Sequence, residues 1–316
     1  MKSVCRKDHW PTSIALQDAS PRNVDELIKT VPTWTNANHI NYEPINDGYS
    51  NKIYKVWVDH EAFVLRINGS QNTFLGLEYK DEAQVMQLAA DQNIAPGVLP
   101  VDRDEYLITH FLEGNTLKVE QMHDSDSIGN VIKVLKKVHA LPYTGTRTST
   151  PFSLTRGYLA GAKKLGLEYP SDLSDYLDQM ESIEDKRRSD PAYLRHYCHN
   201  DMFNHNIFHC RDGSYILIDW ELSGLGDIWF DLATISFSSG LDAAADEFLL
   251  RCYFGEADPD KIATLHEMKF VCMVREIGWA LLHTAINRNA PEPGKDYMDF
   301  ANSVLDRLKN GIVTLV

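Results

Sequence analysis

Residues 198–221 read CHNDMFNHNIFHCRDGSYILIDWE. Histidines 199, 205 and 209, aspartates 201, 212 and 219 and an apolar run ending in acid crowd into this one segment. Its two β-prone runs, HNIFHC (205–210) and SYILID (214–219), are joined by RDG, so the spacing predicts a hairpin. Three kinds of chemistry compete for it: a histidine metal site, a hydrolase site and a phosphate-handling site.

Imidazole is the commonest protein ligand for zinc. His205 and His209, however, flank a β-like run in which their spacing puts them on one face, about 13 Å apart by strand rise. That is too far for a shared ion, and surface or loop-stabilising histidines are the better reading. A serine or cysteine hydrolase sets its nucleophile on a strained turn such as GxSxG, with a histidine and an acid elsewhere. YCHND (197–201) has no such glycines, and Cys198 reads as a small core residue.

The phosphate reading uses more of the letters. Asp201 is followed five positions later by Asn206, and the apolar run YILI then delivers Asp219. Transfer of a γ-phosphoryl group needs a carboxylate to orient and deprotonate an acceptor hydroxyl, and oxygen ligands that hold Mg²⁺ against the phosphates. Asp201 can supply the first and Asn206 with Asp219 the second, since magnesium prefers hard oxygen donors and few protein carboxylates. The competing view makes Asp201 and Asn206 turn formers and Asp219 a strand-end cap, which leaves the first third of the chain unexplained.

That first third is β-rich. HINYEPIN (39–46), NKIYKVWVD (51–59) and EAFVLRIN (61–68) read as a three-stranded antiparallel meander. Upstream, residues 1–38 read as an irregular tail plus a short helix with Ser20 as its cap and Pro21 at its first position. A helix follows the meander, ending before Pro96, then strands near 98–101 and 106–111, and Gly114 permits a turn between lobes. Residues 1–113 are therefore expected as one lobe and 114–316 as a second. Apart from the hairpin, the second lobe is helical, near 125–140, 153–165, 171–188, 227–237, 241–254, 258–286 and 296–313. TGTRTSTP (144–151) reads as a mobile loop.

Bulk properties narrow the partners. The 316 residues, 43% hydrophobic and 24% charged, suit a globular protein with room for two lobes. A formal charge of -14 argues against nucleic-acid binding through a basic surface and is compatible with a small cationic substrate. The cysteines are odd in number, scattered and never spaced CxxC, which suggests free thiols in a reducing compartment. With no secretory apolar core and no run long enough to span a membrane, cytoplasm is the expected location.

HNDMFNHNIFHCRDGSYILIDWELSGLGDIWFDLA (199–233) resembles the catalytic region of the choline/ethanolamine kinase family, which is related to aminoglycoside phosphotransferases and, more distantly, protein kinases. The resemblance implies a bilobal protein-kinase-like α+β fold with ATP and Mg²⁺. It makes Asp201 the catalytic base, Asn206 and Asp219 the metal ligands, and His199 and Asp231 braces of the catalytic loop. NDGYSNKIYKV (46–56) is similar to the family's phosphate loop, with Gly48, Ser50 and Asn51 in place and Asp47 replacing a glycine. LRING (65–69) puts Arg66 where protein kinases use lysine; a guanidinium can still hold phosphate oxygens. Glu82 matches the family's helix acid, with Glu78 one turn earlier as the alternative. YLITHFLEGNTL (106–117) resembles the strand and hinge against which adenine stacks, so His110, Phe111 and Leu112 are candidates through their backbone groups.

The acceptor is expected to be a small alcohol, with choline or ethanolamine ahead of thiamine and an aminoglycoside. Aromatic faces and carboxylates bind quaternary ammonium ions, which nominates Trp220, Glu221 and Trp229, and Glu276 with Trp279 on a later helix. Trp220, Trp229 and Trp279 have core packing as their competing role. A nucleotide-binding pseudokinase is the alternative from another class, but it would be expected to lose the base or a metal ligand, and all three are present here.

Overall fold

The structure is a computed structural model that describes residues 23–45, 51–68, 82–99, 106–289 and 294–316. Strands β1 (Ile40–Pro44), β2 (Asn51–Val58), β3 (Glu61–Asn68) and β4 (Tyr106–His110) form one antiparallel sheet in the order β1-β2-β3-β4. Val56, Phe63, Leu65, Ile67, Tyr106 and Ile108 are buried together against Trp34 and helix α1 (Val24–Ile28). Side chains alternate along a strand, so Arg66 takes the opposite face from Leu65 and Ile67, paired across to Ile53 and Leu107.

Two expectations for this region change. α1 is capped by Asn23, whose side chain accepts the Asp25 N–H at 3.1 Å, while Ser20 and Pro21 lie outside the described residues. The segment expected as a strand near 98–101 makes only an isolated bridge, Val98 to Thr109, and residues 100–105 lie outside the described residues.

Helix α2 (Glu82–Asp91) does not join that small core. Val85, Met86 and Ala89, with Ile94 and Ala95 beyond them, pack into the large cluster built by the C-terminal helices. A backbone bond from the Leu217 N–H to the Ile94 carbonyl, 2.9 Å, ties the end of α2 to the hairpin.

The larger core gathers α3 (Ser125–His139), α4 (Pro151–Lys164), α5 (Leu173–Arg188), α6 (Ile228–Ser238), α7 (Ala243–Phe254), α8 (Pro259–Ile286) and α9 (Tyr297–Lys309). From Trp229 onward α6 is buried on every side, as its all-round apolar sequence requires. Asp227 caps it and holds Arg187 at 2.7 Å. α8 starts at Pro259 behind the cap Asp258 and runs through the centre.

Into this core the opening segment inserts two small sheets. β5 (Gly114–Thr116), β7 (Ile207–Cys210) and β8 (Tyr215–Leu217) form one, and β6 (His196–Cys198) pairs with β9 (Gly224–Gly226) in the other. At the predicted turn Gly213 has φ +88 and Asp212 accepts from the Ser214 N–H at 2.9 Å. The 144–150 segment, expected to be mobile, is fastened: the Leu225 N–H donates to Arg147 and the Ser149 N–H to Leu225, at 2.9 and 3.0 Å.

Where β9 passes the loop after β6 there is room only for hydrogen. A Cβ on Gly226 would sit 2.9 Å from Asn200 Oδ1 and 3.1 Å from both Cys198 Cβ and the Ser149 carbonyl. Gly226→Ala should therefore cost about 1–3 kcal/mol, read as a lower urea midpoint; an unchanged midpoint would show that the loop gives way freely.

Candidate active site

The loop between β6 and β7 hangs on a buried carboxylate. Asp231, in the first turn of α6 and fully enclosed, accepts the His199 N–H at 2.9 Å through Oδ2 and the Asn200 N–H at 2.6 Å through Oδ1. His139 Nε2 donates to the same carboxylate at 3.0 Å, and its Nδ1 lies 2.6 Å from the Tyr253 hydroxyl. Asn200 takes a left-handed turn, φ +64, a conformation that asparagine tolerates better than most residues.

Beyond that turn Asp201 and Asn206 meet. Asn206 Nδ2 donates to Asp201 Oδ2 at 2.6 Å and to the Asp201 carbonyl at 2.9 Å. The Asn206 carbonyl accepts the Ile218 N–H at 3.0 Å, and His199 Nε2 donates to the Ile218 carbonyl at 3.1 Å. The chain then turns left-handed at Asp219, φ +63, next to the loop. Asp219 Oδ1 is buried, accepts no hydrogen bond among the described residues, and lies 3.6 Å from Arg66 Nη1.

From the sheet side, Arg66 and Glu82 form a two-pronged pair, with Nη1 to Oε1 at 2.8 Å and Nη2 to Oε2 as the second contact. Both are buried. Burial opposes the charge of Arg66, but Glu82 outweighs it and raises the guanidinium above its ordinary pKa. Glu82 is therefore the partner of Arg66, while Glu78 lies outside the described residues, as do Asp47, Gly48 and Ser50. Asn51 is described: its Nδ2 donates to Glu221 Oε2 at 2.9 Å.

Carboxylates outweigh cations here. Asp219 is pushed well above the usual carboxylate range by burial and then by Glu221, with Asp201 and Glu82 adding to the effect and Arg66 opposing it. Burial pushes Glu221 up to about 7. The Glu221 carbonyl accepts from Arg147 Nη2 at 2.6 Å, which brings the 144–150 segment to the same cleft.

Other candidates fall elsewhere. Trp220 has no exposed surface, its indole N–H donates to the Leu217 carbonyl at 3.0 Å, and His199 meets its ring edge. A side chain wholly enclosed by the fold offers no face to a ligand, so Trp220 is core. Trp229 is likewise buried, between Phe254 and the Arg187 guanidinium. Trp279 is half-buried on α8, with His283 and with Tyr297 of α9 at centroid distances of 4.4 and 5.5 Å. Glu276 is buried and paired with Arg275.

At the chain crossing after β4, the His110 and Phe111 N–H groups donate to Gly97 and Ala62, both at 2.9 Å. Neither N–H is open to a nucleotide base, which leaves carbonyls and Leu112. Phe111 and Leu112 line a cleft of about 540 Å³ with Cys210, Arg211 and Ile216. His205 and His209 do not meet over an ion; they stack on Phe203 and Tyr215.

Sequence reasoning missed Arg275, whose Nη2 lies 3.3 Å from Asp201 Oδ1, and Arg147. The signal for Arg275 was a charged pair inside the otherwise apolar run MVREIGWALL, because arginine is almost never fully buried unless paired.

His199 is enclosed, and burial holds its pKa below the ordinary value, partly offset by Asp231. Unfolding restores a value of about 6.5, so the unfolded chain takes up the extra proton. The contribution of His199 is complete above about pH 6.5 and is lost as pH falls below it. Because the raised Glu221 acts in the opposite sense over the same range, the test is a difference: the urea midpoint of the unsubstituted chain relative to His199→Gln should rise between about pH 5.5 and about pH 7.5, and a difference that does not change with pH would remove the assignment to His199.

Comparison with known proteins extends these findings. Residues 41–265 match the family described as the phosphotransferase enzyme family. Protein LicA of Haemophilus influenzae is 27% identical over 254 residues, which cover 77% of this chain and 91% of that protein. Two solved structures share the fold. A choline/ethanolamine kinase family protein from Mesorhizobium loti has a TM-score of 0.73 at 23% identity, covering 91% of this chain and 94% of the other. LicA in complex with AMP has a TM-score of 0.66 at 18% identity, covering 85% and 93%. The chain belongs to the phosphotransferase enzyme family and is a small-molecule phosphotransferase that acts on an alcohol group.

Proposed function

We propose that the chain is an ATP- and magnesium-dependent kinase that transfers the γ-phosphoryl group to the hydroxyl of choline or ethanolamine. The observation that carries this reading is the convergence on one cleft of Asp201 bonded to Asn206, and Asp219 beside the Arg66–Glu82 pair. In this reading Asp201 orients the acceptor hydroxyl and takes its proton. Arg66, held by Glu82, steadies phosphate oxygens, and Ser50 and Asn51 are assigned to the same task. The lobe boundary falls between Glu113 and Gly114, with the base of the nucleotide beside Phe111 and Leu112. The LicA structure with AMP supports a nucleotide in this fold.

The residues fit a magnesium ion. A buried Asp219 oxygen that accepts no hydrogen bond among the described residues, in a cleft with more carboxylate than cation, is the environment a hard divalent ion relieves. Asn206 and Asp219 would hold it; when bound, such an ion neutralises charge on the phosphates. His199 and Asp231 brace the loop from behind.

A cationic acceptor suits the same surplus of acid, with Glu221 as its candidate carboxylate. Glu276 contributes less than its charge suggests, because Arg275 already compensates it. The likeness to a choline/ethanolamine kinase family protein supports this class of acceptor. In this reading the enzyme works where ATP is supplied, in the cytoplasm. Among the described residues no helix is long and apolar enough to cross a membrane.

Release of ADP from MgATP, measured with choline, ethanolamine, thiamine, methylthioribose and an aminoglycoside, should be fastest with one of the first two. A faster rate with another compound reassigns the acceptor, and no stimulation by any compound sinks the reading. Asp201→Ala should bind MgATP normally yet lose at least about 10²-fold in kcat, whereas Asp219→Ala should weaken magnesium-dependent nucleotide binding. Unchanged turnover in the first, or unchanged binding in the second, would remove the assigned role.

A further inference from the structure

We propose that Arg275 of α8 is a positioning residue that aims the Asp201 carboxylate at the acceptor hydroxyl; this rests on the reading of Asp201 as the group that receives that hydroxyl. Arg275 is 4% exposed. Its Nη1 pairs with Glu276, and its guanidinium carbon lies 5.7 and 5.8 Å from the rings of Phe203 and Phe230. One ring belongs to the loop that carries Asp201, and the other precedes Asp231, which suspends that loop. Held from these sides, the guanidinium presents Nη2 to Asp201 Oδ1 at 3.3 Å while Asn206 donates to Oδ2 at 2.6 Å.

Each carboxylate oxygen thus has its own donor, from a different element, and rotation of the side chain is blocked in both directions. Glu276 alone is enough to neutralise the guanidinium. The second contact reaches a carboxylate that is 16% exposed, so its effect falls on an accessible group. A loose phosphoryl-transfer transition state gives the protein little covalent work and makes the aim of the attacking oxygen decisive.

Removing Arg275 alone would strand the buried Glu276 charge, which is strongly destabilising. The test therefore uses Arg275→Met with Glu276→Gln, beside Arg275→Lys, which keeps the charge paired with Glu276 but shortens the reach to Asp201. Both are assayed with the fastest acceptor of the panel above, with urea midpoints and MgATP binding measured alongside. The double variant should lose about 10- to 100-fold in kcat, with KM for ATP within about twofold; Arg275→Lys should lie between it and the unsubstituted chain. In an Asp201→Asn background the double change should alter the residual rate by less than about twofold.

Full kcat in either folded, ATP-binding variant overturns the proposal. So does an equal proportional loss with and without Asp201, which would mark a purely structural role. Should the double variant fail to fold, Arg275→Lys decides alone. Asp201→Asn with intact kcat is a different failure, that of the assignment of Asp201 itself.

Discussion

The carboxylate of Asp231 is the fixed point of this molecule. Two consecutive backbone N–H groups and a histidine converge on it with no solvent contact. Buried polar groups left without partners are costly, so the fold has every reason to keep the arrangement intact. Because those N–H groups belong to His199 and Asn200, the next residue, Asp201, is presented from a rigid origin. The hairpin, the left-handed turn at Asp219 and the approach of Arg66 are all set out from there.

Around that origin the electrostatics are unbalanced by construction. Asp201, Asp219, Glu221 and Glu82 face one another across the cleft, and the site arginines answer only part of their charge. Arg66 pairs with Glu82 and lies 3.6 Å from Asp219, Arg275 meets Glu276 and Asp201, and Arg147 Nη2 donates to the Glu221 carbonyl. Such crowding is tolerable where cations are meant to arrive, and costly otherwise.

What the sequence made legible was local. The Asp201–Asn206 spacing and the strand that ends in Asp219 lie within one short stretch, and hydrophobic period and turn residues set the long helices and the meander. Contacts between distant residues were less visible. Arg275 and Asp201 are separated by 74 positions, and so are Arg147 and Glu221. Trp220 and Trp229 look in sequence like walls of a pocket because a tryptophan letter carries no direction. The turn at Asp219 sends the next side chain inward, and α6 buries the other. Glu82 was distinguishable from Glu78 only once its carboxylate was seen paired with Arg66.

Asp219 carries two requirements at once, a backbone one and a chemical one. A left-handed φ costs an ordinary L-residue roughly 1–2 kcal/mol, and asparagine and aspartate visit it most readily after glycine. Of the residues that bear a carboxylate, aspartate is thus the one whose main chain is at ease in this turn. Under the proposed metal role, the alphabet admissible at position 219 is narrower than metal chemistry alone would set. Glutamate would keep the charge and strain the turn, whereas glycine and asparagine would keep the turn and lose the charge, asparagine at closely similar size.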